Sequence, residues 1–247
     1  MGSDRWAVVT GASRGLGLEW TRQLVKADWS VVACARDPAS SEGLAKLVAS
    51  EGDRVVLETL DVNDAAAAGR LAVRISESIG TIDLLVNNAG VNQSASDRSR
   101  SAGPLHVLDV EALSGVVRTN AIAPVMVTQA FAPLLAGERL SVVVNTSSRL
   151  GSLGIAGSAN DPYERDYGYR MSKAALNMAT IALARDLAAQ STIVVSMSPG
   201  YVKTDMTQDR GDITVEESVA GQISTVAALT LDDSGKFVAH TGESISW

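Results

Sequence analysis

The amino-acid sequence predicts an α/β fold, a doubly wound sheet of about seven mostly parallel strands flanked by helices on both faces. Three observations carry that expectation. Short, nearly continuous apolar runs recur along the chain, as strands covered on both faces require. Longer stretches with helical periodicity separate them, and right-handed β-α crossovers place such helices on both sides of one sheet. A glycine-rich turn joins the first run to the first helix, a place where open α/β sheets bind phosphates.

The elements follow in order. Trp6-Ala7-Val8-Val9-Thr10 is apolar and β-branched and reads as the first strand, with a helical pattern over 16–27 after the turn. Strand 30–35 with helix 41–51 makes the second unit. Strand 54–60 with helix 64–79 makes the third, Asp64 standing as N-cap before an Ala-rich run. The fourth strand, 83–87, is followed by one long helix over Val110–Leu135. Strands 140–146 and 193–198 bracket a helix over 169–189. Thr214-Val215-Glu216-Glu217 has the form of a capping box opening a further helix, and 236–239 adds a seventh strand. No linker, repeat or low-complexity tract divides residues 1–247, which are expected to form a single domain. The stretches 92–103 and 151–166 break the alternation. With 201–211 they read as loops beyond the carboxyl ends of the strands, either a substrate rim or simple surface connections.

Composition narrows the function classes. At 247 residues, 46% hydrophobic and 20% charged, the chain can bury a substantial core. A net charge of −7 and a pI near 4.9 argue against a nucleic-acid partner. No unbroken apolar run reaches the ~18 residues of a membrane span. The segment from Met1 to Arg5 runs into the first strand without the apolar core of a signal peptide, so a cytoplasmic protein is expected. Cys34, the single cysteine, lies in an apolar run and reads as a buried thiol. His106 and His240 are far apart and offer no metal cluster.

The chemistry begins with Tyr169 and Lys173, whose spacing puts phenol and ammonium on one helix face, about one turn apart. A free phenol loses its proton only near pH ~10, and a neighbouring positive charge would bring that value towards the working range. Such a pair can protonate a carbonyl oxygen or take a proton from an alcohol. The nearby tyrosines lack the partner: four residues after Tyr163 comes Tyr167, and four after Tyr167 comes Met171. The same spacing occurs on ordinary helices, so its meaning depends on the rest of the chain. At the other end stands Thr10-Gly11-Ala12-Ser13-Arg14-Gly15-Leu16-Gly17, whose glycines permit a tight turn and let backbone approach a pyrophosphate at the helix N-terminus.

With Asn87-Asn88-Ala89-Gly90, Asn120, the Ser147-Ser148 doublet, Tyr169-x-x-x-Lys173 and Pro199-Gly200, that turn makes the chain resemble the short-chain dehydrogenases/reductases. The motifs keep the family's order over essentially the whole chain, and the stretch from Tyr167 to Asp186 is most similar to the C-factor and sniffer-type carbonyl reductase branch. The resemblance implies a Rossmann-type fold and a homodimer or homotetramer. It implies that Gly11, Ser13, Arg14, Gly15, Leu16 and Gly17 form the coenzyme turn, that Asp61 and Val62 contact the adenine, and that Asn88, Ala89 and Gly90 line the coenzyme. Pro199, Gly200, Val202 and Thr204 match the segment beside the nicotinamide, Thr204 being near its amide. For each, a purely structural role is the competing account, above all for the double asparagine. Ser148, three residues before Gly151, matches the serine that binds the substrate oxygen, with Ser147 its rival. Lys173 matches the residue that also holds the nicotinamide ribose; Asn120 matches an asparagine that kinks its helix and holds a water behind the lysine. Between Ser148 and Tyr169 the chain carries several residues more than the family usually does.

An acid closing the second strand would bind a ribose 2′-hydroxyl and repel a 2′-phosphate. In register that place is Ala35, followed by Arg36, and Arg36 with Arg14 suits a phosphate dianion; Asp37 falls one or two residues too late. NADP(H) is therefore expected over NAD(H). The expected function is an NADPH-dependent oxidoreductase on a small carbonyl or alcohol, with Tyr169 as general acid/base. A coenzyme-binding signalling protein of C-factor type and a narrow biosynthetic ketoreductase are the alternatives. A hydrolase would need a nucleophile with a histidine base that the pattern does not supply.

Overall fold

β-Branched residues fill the strand positions, and their side chains alternate between two helical layers. The computed structural model describes residues 5–92, 105–158 and 166–247. Its seven strands are β1 (Trp6–Thr10), β2 (Ser30–Ala35), β3 (Val55–Thr59), β4 (Leu84–Asn87), β5 (Ser141–Thr146), β6 (Thr192–Ser198) and β7 (Phe237–Ala239). They form one sheet in the order β3-β2-β1-β4-β5-β6-β7, with every pairing parallel. The chain winds outward from β1 in both directions, so a crevice opens at the carboxyl ends of β1 and β4, where such sheets bind ligands.

Each face of the sheet has its own core. On one, Ala7, Val9, Val31 and Val144 meet Trp20 and Leu24 of α1 (Gly15–Lys26), Leu44 of α2 (Glu42–Glu51) and Val219 of α8 (Val215–Ala228). On the other, Val8, Leu85, Val143 and Val194 meet Leu71 and Ile75 of α3 (Ala65–Ser78), Phe131 of α5 (Ala123–Leu135) and Ala184 of α7 (Tyr167–Asp186). Cys34 is buried in this second core, and the loss of solvation raises its thiol pKa. The expected caps are present. Asp64 accepts the Ala67 N–H at 2.9 Å, and Thr214 accepts the Glu217 N–H at 3.1 Å while the Glu217 carboxylate accepts the Thr214 N–H at 2.8 Å.

Three elements differ from the sequence reading. The stretch Val110–Leu135 is two helices, α4 (Val110–Val117) and α5, joined through a π-helical turn at Arg118–Ile122. There the Ala123 N–H reaches back to the Arg118 carbonyl, and Pro124, which has no N–H, follows immediately. This stretch is also long and apolar enough, by length and composition, to cross a membrane, although no unbroken apolar run suggests it. Val116, Val127, Phe131 and Leu135 carry that apolarity into the protein core. Helix α7 starts at Tyr167 rather than 169 because the Asp166 side chain accepts the Tyr169 N–H at 3.0 Å. Within 151–166, read as loop, Ser152 caps a single helical turn, α6 (Leu153–Ala156). Most of the predicted loop 92–103, and residues 159–165 with Tyr163, lie outside the described residues.

Removing the Thr214 hydroxyl (Thr214→Ala) should lower stability by about 1 kcal/mol, read as an earlier urea midpoint at unchanged slope.

Candidate active site

At the carboxyl end of β1 the chain must turn sharply into α1, and the glycines make the turn close. Gly11 and Gly15 adopt φ of +65° and +54°, in the left-handed region. A Cβ on Gly17 would stand 2.2 Å from the Gly11 carbonyl oxygen, whereas one on Gly15 would meet nothing within 4 Å. Gly15 therefore faces open space at a helix start whose N-cap residue, Arg14, gives no side-chain cap. Uncapped N–H groups and bare backbone at the head of α1 fit an anionic pyrophosphate. The turn is tied down from three sides: Ala12 N–H donates to the Cys34 carbonyl, Ser41 Oγ donates to the Ser13 carbonyl at 2.7 Å, and Asn88 Nδ2 donates to the Thr10 carbonyl at 2.9 Å.

Both asparagines of the 87–90 segment do structural work. Asn87 is buried and donates to Asn145 Oδ1 at 2.9 Å and Thr128 Oγ1 at 3.0 Å, lacing β4 to β5 and α5. Asn88, Ala89 and Gly90 follow it to the edge of the crevice, with Ala89 against Gly11. Asp61 is exposed at the end of β3 and Val62 packs on the second core; a groove lined by Asp61, Asn63, Gly115, Arg118 and Thr119 opens beside them.

Ala35, the last residue of β2, is buried, and Arg36 just beyond it is exposed. Asp37 accepts the Ser40 N–H at 3.3 Å, closing its own turn. Arg14 is engaged: its guanidinium donates to Asp205 at 2.6 Å. Pro199 and Gly200 lead from β6 into a braced loop. Val202 is buried and bridges Ile213, and Thr204 caps a short turn through a reciprocal pairing with Thr207. That hydroxyl, expected near a nicotinamide amide, is thus already engaged with Thr207, at 3.4 Å. Gly200 has φ +88°, and a Cβ there would stand 3.0 Å from His240, which packs beneath it.

The chemical end gathers at the end of β5, on the π turn and on α7. Ser147 is buried and donates to Asn177 Oδ1 at 2.6 Å, and Asn177 Nδ2 in turn donates to the Gly151 carbonyl at 3.3 Å. Ser147 therefore braces the loop, whereas Ser148 is half-exposed and faces the Tyr169 phenol, lowering its pKa through side-chain hydrogen bonding. Lys173 is buried, its ammonium donating to the Thr146 carbonyl at 2.7 Å and standing 5.5 Å from the centre of the Tyr169 ring. Asn120, at the π turn, accepts the Val91 N–H at 2.8 Å and donates to the Val91 carbonyl at 2.6 Å and to Ser172 Oγ at 3.0 Å. Ser172 then donates to the Tyr169 carbonyl at 2.7 Å.

The electrostatics depart from the sequence expectation. Burial pushes the Tyr169 phenol up to about 12; the Ser148 hydrogen bond opposes this, and the Asp166 carboxylate adds to it. By the pH at which the phenol titrates, Lys173 is already neutral, because burial lowers its amine to about 8. In the protein alone, then, the phenol is firmly protonated at neutral pH, ready to donate rather than to accept a proton.

Several members of this arrangement escaped the sequence reading. Asn177 lies one turn beyond Lys173, Ser172 directly before it, and Asp166 at the cap position three residues before Tyr169. Their spacing was a usable signal. Asp205, in contrast, meets Arg14 only through the tertiary fold.

A family model described as short chain dehydrogenase matches residues 5–213. The C-signal protein of Myxococcus xanthus is 34% identical over 168 residues, which cover 68% of this chain and 94% of that one. An NADPH-bound carbonyl reductase from chicken fatty liver is similar in structure, with a TM-score of 0.86 and 31% identity over 100% of both chains. The carbonyl reductase Sniffer of D. melanogaster reaches a TM-score of 0.87 at 27% identity, over 99% of this chain and 100% of that one.

The buried amine makes stability depend on pH. Lys173 titrates near 8 in the fold against an ordinary 10.5, so above pH 8 the unfolded chain binds a proton that the folded chain has lost. This contribution rises with pH, by at most about 1.4 kcal/mol per unit. Above pH 10 the raised Tyr169 value acts in the opposite sense. Urea unfolding at pH 8 and pH 10 should show Lys173→Met losing this increment relative to the wild type.

Proposed function

We propose that this chain, which belongs to the short chain dehydrogenase family, reduces a ketone or aldehyde to an alcohol with NADPH, Tyr169 giving the proton. The observation that carries the reading is the meeting of a protonated phenol, the Ser148 hydroxyl and the buried Lys173 ammonium at the carboxyl end of β5, beside an uncapped glycine turn. Arg36, exposed next to the buried Ala35, and an Asp37 carboxylate occupied by its own turn favour a 2′-phosphate over a bare ribose. The NADPH bound by the chicken carbonyl reductase supports the same choice.

Bound NADPH would supply a hydride to the carbonyl carbon. The backbone N–H groups of Gly15, Leu16 and Gly17 would hold the pyrophosphate, with Asn88, Ala89, Gly90, Pro199, Gly200, Val202 and Thr204 around the nicotinamide half and Asp61 and Val62 at the adenine. Ser148 donates a hydrogen bond to the substrate oxygen as charge develops there. Tyr169 delivers its proton to that oxygen, completing the alcohol. Lys173 keeps positive charge beside the phenolate so formed, and Asn120 fixes the Val91 segment and Ser172 behind it. With hydride at carbon and proton at oxygen, the balance of the reduction closes.

The same proposal extends to a single nucleotide-binding domain that works as a cytoplasmic homo-oligomer; exposed Met171 and Met178 on α7, Val110 on α4 and Ile122 in the π turn give it apolar surface to cover. Similarity to C-signal supports a second reading, a coenzyme-binding signalling protein. A screen of NADPH oxidation against varied carbonyls separates the two, since a pure sensor binds coenzyme without turnover.

Tyr169→Phe should lower kcat by 10²–10⁴-fold while the NADPH Kd stays within about twofold; retention of most activity would remove the acid from Tyr169. Arg36→Asp should raise the NADPH Kd by about tenfold or more, roughly 1.4 kcal/mol, with little change for NADH in the same fluorescence titration.

A further inference from the structure

One ion pair bridges the two sides of the coenzyme crevice. Arg14 stands at the N-cap of α1, and Asp205 opens the short turn after Thr204, 191 residues away. Their side chains are 77% and 78% exposed, and the guanidinium nitrogen lies 2.6 Å from the carboxylate. The loop that carries Asp205 is braced internally. Thr207 Oγ1 donates to the Val202 carbonyl at 2.6 Å, Lys203 N–H donates to the Ile213 carbonyl at 2.9 Å, and a Cβ on Gly211 would sit 2.2 Å from the Lys203 nitrogen. Asp205 is thus presented to the glycine turn by a stiff scaffold.

An exposed pair of this kind contributes little, because water solvates and salt screens both charges. A phosphate carries more negative charge than a carboxylate and offers guanidinium at least as many acceptor oxygens, so it displaces the carboxylate, whereas a ribose hydroxyl does not. We propose that Asp205 competes with the 2′-phosphate of NADP(H) for Arg14, so that the phosphate frees the loop at 199–213 from the glycine turn. Asp205 then weakens NADPH binding selectively, and the coenzyme's own phosphate couples adenosine recognition to the loop over the nicotinamide end. This inference rests on the NADPH reading above.

The test is direct binding, followed by tryptophan quenching or nicotinamide fluorescence, with NADPH and NADH at low and physiological salt. Asp205→Asn should tighten NADPH by about two- to fivefold and leave NADH unchanged, with a smaller gain at higher salt. In an Arg14→Ala background the same substitution should leave NADPH binding unchanged. An NADPH Kd that stays constant or rises in Asp205→Asn overturns the competition, as does equal tightening of NADPH and NADH, which would mean simple relief of negative charge. If the wild type binds NADH as tightly as NADPH, the coenzyme reading falls and the competition with it. If NADPH is preferred but Asp205→Asn has no effect, only the competition falls.

Discussion

Lys173 carries an ammonium group to a position only 5% exposed, and an ammonium out of water must find acceptors or lose its proton. The Thr146 carbonyl, at the end of the strand ladder of β5, provides one at 2.7 Å. That contact fixes α7 against the sheet edge. Tyr169, one turn earlier on the same face, is thereby brought to Ser148, two residues beyond Thr146. Gly151 completes the fit, since a Cβ there would lie 2.7 Å from Lys173. The position of the phenol is thus set by how a neighbouring charge is buried.

Around this contact the protein spends buried polar groups freely. Asn87, Asn145, Thr180 and Ser196 form a continuous chain from β4 through β5 and α7 to β6, with links of 2.8 to 2.9 Å. Such a chain has one good arrangement and many poor ones, so it fixes the register of α7 on the sheet more sharply than apolar packing does. Asn120 performs the parallel service for the loop after β4, holding both backbone groups of Val91. The π turn widens the helix where that side chain must point inward, and Pro124 removes the N–H that a regular turn would have needed.

Much of this is legible in the sequence. Strand positions, two of the helix caps and the glycine turn have local physical signatures, and these came out within a residue or two. The Tyr169–Lys173 pair was visible as a spacing, and Tyr167 was excluded by Met171. The sign of the phenol shift was not legible, because it depends on the desolvation of two groups that only the packed fold brings about. Ser147 and Ser148 are chemically alike and adjacent; what separates them is Asn177, thirty residues on, which claims the first. Arg14 and Asp205 make the same point from the other side, since no local pattern predicts a partner across the sheet.

The all-parallel sheet also has a kinetic side. Every strand neighbour here is reached by a crossover, and β1 waits for the central strand β4, whose pairing begins with Ala7 against Leu84. Contacts of such long range close slowly because loop entropy is lost before any contact rewards it. The glycine turn is made first on the ribosome, yet its walls at Asn88 and its bridge to Asp205 come much later. At translation rates of roughly 5–20 residues per second, a nascent chain spends many seconds with apolar strand edges open before its crevice can exist. The crevice therefore comes into being late in synthesis, only once β6 and the loop that follows it have emerged.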